Sequence, residues 1–400
     1  MTIVRRKIKD LIADKAILDV QDGNHGEKHP TAADYVEEGI PFLMARDFQD
    51  GQVDLRGACK ISKSLGDSLR IGFARTGDVL LTHKGSIGLV AIVPEVPDYV
   101  MLTPQVTYYR TNPTKLLNSY LKYAFQSPSF RDQLNSFSAQ STRPYIGITA
   151  QKELQLDIPP LPMQRRVAGI LSVYDELIEN YQRRVRILDT IARDLYREWF
   201  VRFRFPGHEK HPCITSPLGD IPKGWEVKLV KRILSRRAAG TVYREADVKP
   251  EGAIPVLDQS TSELLGFHDN EPDHLASLTM PMAIFGDHTC KMQLLIEPFS
   301  VGPNVVPFAT GIGLPTTYVF YAVNSLVQTQ EYKRHWIPLN AKEIVVADRV
   351  TAERFASMIQ PMLVAQEMFK KMIRNLRRTR DLLLPRLISG PHQMVEDITA

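Results

Sequence analysis

Apolar residues recur at alternating spacings of three and four along two long segments of the chain, residues 163–200 and 351–388. This 3.5-residue period places apolar side chains on one stripe of an α-helix and is typical of a coiled coil. The first stripe consists of Leu171, Tyr174, Ile178, Tyr181, Val185, Leu188, Ala192, Leu195 and Trp199. The second stripe consists of Phe355, Met358, Met362, Ala365, Phe369, Met372, Leu376, Thr379 and Leu383. The pattern predicts two long helices.

The two stripes leave two interpretations open. Each helix could pack only on its own domain, or the two stripes could pack against each other. Helices of globular domains rarely exceed about 20 residues, and a strict 3.5 period favours a helical partner. We therefore predict that the helices pair as an antiparallel coiled coil. Pro361 is predicted to kink the second helix, because proline removes a backbone hydrogen bond.

The stretches that precede the two helices correspond, so the chain has the pattern of a two-fold repeat. Gly39–Met44 and Gly252–Leu257 begin similar apolar runs, and Lys152–Ile158 resembles Lys342–Asp348, which lies 190 residues later. Short apolar runs between turns predict strands at Val79–Thr82, Leu89–Val93, Val106–Arg110, Ala283–Phe285, Leu294–Ile296 and Tyr318–Tyr321. Short helices are predicted at Tyr120–Ser127 and Tyr332–His335.

These elements predict an α+β (mixed α/β) fold with a pseudo-two-fold repeat, in which two globular domains alternate with the two long helices. The predicted boundaries are 1–158 for the first globular domain, 159–204 for the first helix, 205–345 for the second globular domain, and 346–400 for the second helix and tail. The Pro- and Gly-rich stretch from Phe205 to Trp225 is predicted to be the linker between the halves.

Charge and cysteine content narrow the class of protein. The 400 residues carry a formal charge of +5, and residues 351–391 alone carry the same excess, with eight Arg and Lys against three Asp and Glu. A basic helix of this kind is solvated, binds a partner helix or follows phosphates. The three cysteines are far apart, and neither a signal peptide nor an 18-residue apolar run is present. We expect a cytoplasmic protein without a disulfide framework.

Motifs of self-contained enzymes are missing from the sequence. It has no phosphate-binding glycine loop, no dinucleotide-binding glycine motif, no His-Glu-x-x-His and no Gly-x-Ser-x-Gly. The close pairs His25 with His29 and His208 with His211 lack an obvious third ligand, which metal sites need. We therefore predict no catalytic residue, no metal site and no cofactor in this chain.

Several segments, in order and in both halves, resemble the specificity (S) subunits of type I restriction–modification systems. They are Gln21–Pro30 with Gly39–Asp47, Ile158–Leu171, Asp194–Phe203, Gly219–Val227 and Leu384–Gly390. One departure is that residues 345–354 lack the Pro-Pro-Leu-Pro turn that precedes the first helix.

The resemblance implies a non-catalytic protein that reads a bipartite double-stranded DNA sequence, one half-site for each globular target recognition domain. It further implies that the helices hold two methyltransferase (M) subunits, which would use S-adenosylmethionine, and that restriction (R) subunits would join for ATP- and Mg-dependent translocation and cleavage. Independently, a 38-residue helix is about 55 Å long, and half-sites one DNA turn apart are separated by about 34 Å.

Base reading needs polar and cationic side chains on exposed loops. The predicted DNA-binding residues of the first half are Asn24, His25, Arg46, Lys84, Ser86, Ser141, Thr142, Arg143 and Tyr145. Those of the second half are Gln259, Ser260, Thr261, His288, Lys291 and Asn304. Two other classes stay open: a scaffold that binds only protein, and a single-chain methyltransferase or nuclease with an unrecognised active site.

Overall fold

Two compact units make up the chain in the computed structural model. Unit 1 comprises residues 1–179 and 374–400, and unit 2 comprises residues 180–373. The structure describes residues 3–26, 28–138, 145–260, 264–329 and 333–389. Four of the predicted DNA-binding residues, Ser141, Thr142, Arg143 and Thr261, lie outside the described residues.

Unit 1 combines short strands with five short helices and the beginning of a long one. Its strands are β1 (Val4–Lys7), β2 (Ile17–Asp22), β3 (Tyr35–Val36), β4 (Ile40–Leu43), β5 (Phe48–Gln49), β6 (Gln52–Val53), β7 (Cys59–Ile61), β8 (Phe73–Ala74), β9 (Val79–Thr82), β10 (Val90–Ile92), β11 (Val100–Leu102), β12 (Val106–Thr111) and β13 (Gln155–Ile158). Its helices are α1 (Ile8–Ala13), α2 (Lys63–Asp67), α3 (Asn118–Gln126), α4 (Pro128–Ser138), α5 (Ile148–Glu153) and the start of α6 (Leu161–Tyr196).

Unit 2 has a similar composition of elements. Its strands are β14 (Cys213–Ser216), β15 (Gly219–Pro222), β16 (Glu226–Leu229), β17 (Leu234–Arg236), β18 (Ile254–Leu257), β19 (Leu264–His268), β20 (Met282–Gly286), β21 (Met292–Leu295), β22 (Ser300–Val301), β23 (Val305–Thr310) and β24 (Glu343–Val346). Its helices are α7 (Thr316–Val323), α8 (Trp336–Asn340) and most of α9 (Arg349–Ser389), together with the end of α6, which continues into a π-helical turn at Arg197–Val201.

Both units are built on the same topology. The antiparallel four-stranded sheet has the order β2-β12-β9-β10 in unit 1 and β17-β23-β20-β21 in unit 2. In a second sheet, β4 pairs antiparallel with β7 and parallel with β11, just as β18 pairs antiparallel with β19 and parallel with β22. A two-stranded pair, β1 with β13 or β16 with β24, closes each unit directly before a long helix. The predicted mixed fold and its two-fold repeat are therefore confirmed.

The central strands lie in the apolar core of each unit. All of Val79–Thr82 in β9 and all of Val100–Leu102 in β11 are buried, which explains why they form continuous apolar runs rather than alternating ones. In unit 2 the core contains Phe285 and Phe308 from neighbouring strands.

Two segments fold differently from their sequence pattern. Residues 318–321, predicted to be a strand, lie in helix α7, which is buried throughout. Burial on all sides removes the helical periodicity, and the aromatic residues then resemble those of a core strand. The helix predicted at Tyr332–His335 begins instead at Trp336, and Tyr332 lies outside the described residues.

The Pro- and Gly-rich stretch predicted as a linker is ordered in unit 2. Residues 213–222 form the hairpin β14–β15, and Phe205 and Trp225 are buried with ring centroids 5.2 Å apart. The Trp225 Nε1 donates a hydrogen bond of 2.9 Å to Asp348 Oδ2, immediately before α9. Burial of these aromatic side chains therefore anchors both ends of the segment to unit 2, although the residues between them favour turns.

The two long helices pair in antiparallel fashion within each unit. In unit 2, Tyr181 stacks on Phe369 at 5.3 Å, and Tyr196 contacts Phe355 at 5.9 Å, so the numbers rise on α6 as they fall on α9. In unit 1, Leu171 of α6 shares a buried cluster with Leu384 of α9. The stripe on α6 is buried or half-buried along its length.

The stripe predicted on α9 needs a correction. Met358, Met372 and Thr379 face solvent, whereas Ile359 and Leu363, which lie outside the predicted stripe, are buried. The buried face of α9 thus drifts from a 3.5 to a 3.6 period, because this helix also packs against globular residues. The remaining predicted positions are buried or half-buried, namely Phe355, Met362, Ala365, Phe369, Leu376 and Leu383 on α9, and Tyr174, Ile178, Val185, Leu188 and Leu195 on α6.

Candidate nucleic-acid interface

In each unit the predicted DNA-binding residues follow or precede strands at one end of the sheets. In unit 1, Lys84 and Ser86 follow β9, Asn24 and His25 follow β2, and Arg46 follows β4. In unit 2, His288 and Lys291 follow β20, while Gln259 follows β18 and Asn304 immediately precedes β23. Because the two units share one topology, these loops occupy equivalent places. We call them the strand-end loops of unit 1 and of unit 2.

Backbone hydrogen bonds hold the strand-end loops of unit 1 together. The His83 N–H donates to the Gln105 carbonyl at 2.9 Å, and the Ile146 N–H donates to the His83 carbonyl at 3.0 Å. Lys84 and Tyr145 pair as an isolated antiparallel bridge. The Gln105 Oε1 accepts a hydrogen bond of 3.0 Å from the Ala45 N–H, which ties the Arg46 loop to the same place.

A buried polar network supports Lys84 and Tyr145 from below. His83 is 1% exposed, and its Nδ1 lies 2.7 Å from Thr107 Oγ1, which in turn donates to Asp22 Oδ1 at 2.6 Å. Burial lowers the pKa of His83, although the nearby Asp22 carboxylate acts in the opposite direction. The imidazole is therefore neutral at pH 7, and its ring packs edge-on against Tyr145 with centroids 5.5 Å apart.

The exposed side chains of these loops suit contact with a nucleic acid. Lys84, Ser86, His25 and Arg46 are exposed, and Tyr145 exposes 53% of its surface. Arg46 also contacts a neighbouring strand, with Nη2 3.0 Å from Cys59 Sγ. Together they present two cations, a hydroxyl and an aromatic ring, which are groups that bind phosphates, base edges and base faces.

Asn24 does not belong to this exposed set. It is 2% exposed, and its Nδ2 donates to the Lys28 carbonyl at 2.8 Å. The side chain therefore closes its own loop and is not exposed for contact with a base in this structure.

The strand-end loops of unit 2 approach each other as closely. The Gln259 Oε1 accepts a hydrogen bond of 3.0 Å from the His288 N–H, and Lys291 Nζ donates to the Ser260 carbonyl at 3.2 Å. A Cβ on Gly286 would lie 2.8 Å from Gln259 Cβ, so only glycine permits this approach. Lys291 and Asn304 are exposed, and Asn304 has a φ of +60°. Gln259, Ser260 and His288 are half-buried.

Two basic residues that the sequence analysis missed lie beside these loops. The His288 Nδ1 is 3.2 Å from the Lys333 carbonyl, and Arg334 Nε is 3.8 Å from Asp287 Oδ2. The sequence around Lys333 and Arg334 did not indicate a site, because no periodic apolar pattern there predicts where these residues lie in the fold.

The basic helix α9 is partly neutralised within its own units. In unit 1, Arg377 Nη2 lies 2.7 Å from Asp50 Oδ2, and Arg380 Nη1 lies 2.7 Å from Asp175 Oδ1. In unit 2, Lys371 pairs with Glu297. These cations are therefore not simply a solvated stripe.

Both long helices also carry exposed apolar residues outside their buried stripes. The exposed members are Val173, Leu177, Ile187 and Ile191 on α6, and Val364, Met368 and Met372 on α9. Spacings of four residues within these sets place them on one face of each helix.

The part of the chain that the structure describes shows neither a metal-binding cluster nor a membrane-spanning helix. Within it, no group of three or more His, Cys, Asp or Glu side chains is arranged to hold a metal ion. Among the same residues, no helix combines the length and apolarity needed to cross a membrane.

The chain is similar to known proteins of one class. Residues 13–188 match the family model described as type I restriction modification DNA specificity domain. The chain is 24% identical over 384 residues to the MjaIX type I restriction enzyme specificity subunit of Methanocaldococcus jannaschii, covering 89% of this chain and 88% of that protein. The EcoBI specificity subunit of Escherichia coli is 23% identical over 171 residues, which are 42% of this chain and 36% of that protein.

A solved structure shows the same fold. The crystal structure of the type I restriction–modification system S subunit from M. genitalium superposes with a TM-score of 0.54 at 14% identity, covering 97% of this chain and 96% of that one. The resemblance noted in the sequence is thus confirmed. Residues 13–188 match the type I restriction modification DNA specificity domain family, and similarity to specificity subunits extends over most of the chain.

Proposed function

We propose that this protein is the DNA-recognition subunit of a type I restriction–modification complex and reads a bipartite target, one half-site with each unit. The observation that carries the proposal is the repeat of one topology with exposed cationic and polar loops at the same strand ends of both units. A protein with two like reading surfaces is suited to two half-sites, because each surface addresses one short sequence.

The strand-end loops offer both kinds of contact that DNA recognition needs. Lys84 and Lys291 are compact charges suited to phosphates, which supply affinity without discrimination. Ser86, Tyr145 and Asn304 offer hydrogen bonds or a ring face to bases, which supply the discrimination. The ordered backbone contacts beneath them favour a preformed reading surface, which lowers the entropic cost of binding.

The long helices are proposed to bind two methyltransferase (M) subunits, and through the complex the restriction (R) subunits. The exposed apolar faces of α6 and α9 support this role, since contiguous exposed apolar residues mark protein interfaces. In this proposal the chain has no catalytic activity of its own and acts in the cytoplasm. S-adenosylmethionine, ATP and Mg would be bound by the partner subunits.

The proposal is tested by selecting DNA from random duplexes with the full chain, alone and together with the methyltransferase subunit of its own system. We expect the bound duplexes to contain two short conserved blocks separated by an unconserved spacer of fixed length. The chain incubated alone with S-adenosylmethionine should transfer no methyl group to these duplexes.

Two results would contradict the proposal. Enrichment of no sequence at any salt concentration would favour a protein-only scaffold. Methyl transfer by the purified chain alone would instead place catalysis in this polypeptide.

A further inference from the structure

In both units, the segment just before a short helix, α5 in unit 1 and α8 in unit 2, forms the same backbone hydrogen bond to a strand-end loop. In unit 1 the Ile146 N–H donates to the His83 carbonyl at 3.0 Å, and in unit 2 the His335 N–H donates to the Asp287 carbonyl at 2.8 Å. His83 follows β9 and Asp287 follows the equivalent strand β20. Arg334 is therefore the repeat counterpart of Tyr145, the exposed aromatic residue of unit 1.

The backbone around Arg334 is fixed while its side chain remains accessible. The Asp287 Oδ1 accepts hydrogen bonds from the N–H groups of His335 at 3.0 Å and Trp336 at 2.9 Å. Arg334 itself exposes 75% of its side chain and approaches Asp287 through Nε, at 3.8 Å from Oδ2. The Nε edge of the guanidinium thus faces an acid, and the exposed remainder leaves donors accessible to a ligand.

Further basic residues lie on the loops next to Arg334. His288 lies against the Lys333 carbonyl, and Lys291 extends to the Ser260 carbonyl. A planar guanidinium presents paired donors in a fixed geometry that matches the O6 and N7 acceptors of guanine in the major groove, whereas a lysine ammonium reaches these acceptors without that fixed geometry.

We propose that Arg334 is a specificity-determining residue of unit 2 and donates to a guanine of its half-site. The inference rests on the proposed function and deepens it by naming one reader and the base it reads. Asp287 fixes the backbone that follows Arg334 and lies beside the Nε of its guanidinium, while most of the Arg334 side chain stays exposed.

The test compares three variants of the full chain by selection from random duplexes, followed by affinities for matched and mismatched duplexes. Arg334→Gln removes the charge and the paired donors, and Arg334→Lys keeps the charge alone. The matched control is Arg232→Gln, an exposed arginine beside Ile233, whose carbonyl accepts from Gly311 at the opposite end of the four-stranded sheet. Thermal melting checks that each variant folds.

We expect Arg334→Gln to lose the preference for guanine at one position of a single block, and Arg334→Lys to weaken it. The discrimination against a mismatch there should fall by about 5- to 100-fold, and the other block should stay as in the unaltered chain. Arg232→Gln should select the same sequence as the unaltered chain. If Arg334→Gln fails to fold, the weakened preference of Arg334→Lys gives the reading, since this variant preserves the charge beside Asp287.

The inference is overturned if both Arg334 variants select the unaltered sequence. It is equally overturned if they weaken binding to all sequences alike with a shallower salt dependence, because Arg334 would then contact a phosphate. If the unaltered chain selects no sequence, the proposed function itself has failed, and this result is seen before any variant is made.

Discussion

Asp175 shows how one side chain can join three elements of unit 1. Its Oδ2 accepts from Lys122 Nζ at 2.7 Å and from the Tyr123 hydroxyl at 2.9 Å, both on α3. Its Oδ1 accepts from Arg380 Nη1 at 2.7 Å on α9, while Asp175 itself lies on α6. All three charged groups are largely buried, so the carboxylate compensates two cations that water reaches poorly.

We predict that Asp175→Asn lowers the free energy of unfolding by about 1–3 kcal/mol at pH 7. It leaves the buried Lys122 ammonium without its counter-charge and leaves Arg380 paired only with the exposed Asp381. Burial acts to raise the pKa of Asp175, but Lys122 and Arg380 outweigh it, and the pKa lies below the ordinary value of 3.8. The folded state therefore gains stability from the ionised form at pH values above about 4, and the gain is lost as the pH falls through the lower folded-state pKa.

Urea unfolding of the full chain at several pH values measures this effect. The difference between Asp175→Asn and the unaltered chain should be constant near neutrality and shrink below about pH 4. Asp132→Asn, at an exposed position of α4, is the control and should leave the urea midpoint unchanged. A difference that stays the same down to about pH 3 would mean that the charge of Asp175 is not what stabilises the unit.

Single residues were the least predictable level of the site. Asn24 has the composition and loop setting of a base reader, yet its amide bonds to the Lys28 carbonyl. Arg334 lies in a stretch without any periodic pattern, yet it is exposed beside the loop that follows β20. A polar side chain can bind its own backbone or a ligand, and only the tertiary structure decides which.

At the level of elements, long helices were predictable and short buried ones were not. A seam of nine positions on α6 fixes its helical identity, because a 3.5 period repeated so often has no strand equivalent. The eight residues of α7 are buried on every side and therefore carry no period to recognise. On α9, Ile359 lies in the buried face and Met358 is exposed, because this helix also packs against the globular part of unit 2.

The arginines of α9 allow a test of what this helix binds. Changing Arg374, Arg377 and Arg378 to Gln would reduce the slope of log affinity against log salt by about three if all three contacted phosphates. We expect no such change in DNA binding, because Arg377 is already paired with Asp50 at 2.7 Å. We expect instead weaker association with the methyltransferase subunit.

Titration of the assembled complex against duplexes at several salt concentrations, with subunit association followed by sedimentation, separates these roles. Asp50→Asn is the matched control, since it removes the acidic partner of Arg377 and keeps all three arginines. A shallower salt slope with normal subunit association would assign the arginines to DNA.

For the whole molecule, the sequence showed the repeat but did not show which loops the repeat brings together in each unit. The matching runs before the two helices predicted two like units, and the shared strand orders confirm them. Which loops meet at a strand end depends on sheet order, which no spacing in the sequence reveals. The equivalence of Tyr145 and Arg334 therefore emerges only when the two topologies are compared.

If each unit reads one half-site, we expect the length of the long helices to set the length of the spacer between the half-sites. In unit 2, Gln366 Nε2 donates to the Val185 carbonyl at 3.4 Å, which shows which turns of α6 and α9 face each other. Inserting seven residues after Arg186 and seven after Ala365 keeps both seams in phase and lengthens each helix by about 10 Å. Since base pairs rise about 3.4 Å each, we expect the selected spacer to lengthen by about three base pairs while both blocks stay the same.

Two matched controls accompany this pair of insertions. Insertion after Arg186 alone leaves the added heptad without a facing partner, and insertion of two residues at each site rotates the seams by about 200°; both should weaken assembly with the methyltransferase subunit. Selection from random duplexes, with thermal melting to verify folding, reads the spacer directly. An unchanged spacer in a folded double-heptad variant would show that the helices do not measure the distance, and the loops of the two units would then have to reach their half-sites independently of helix length.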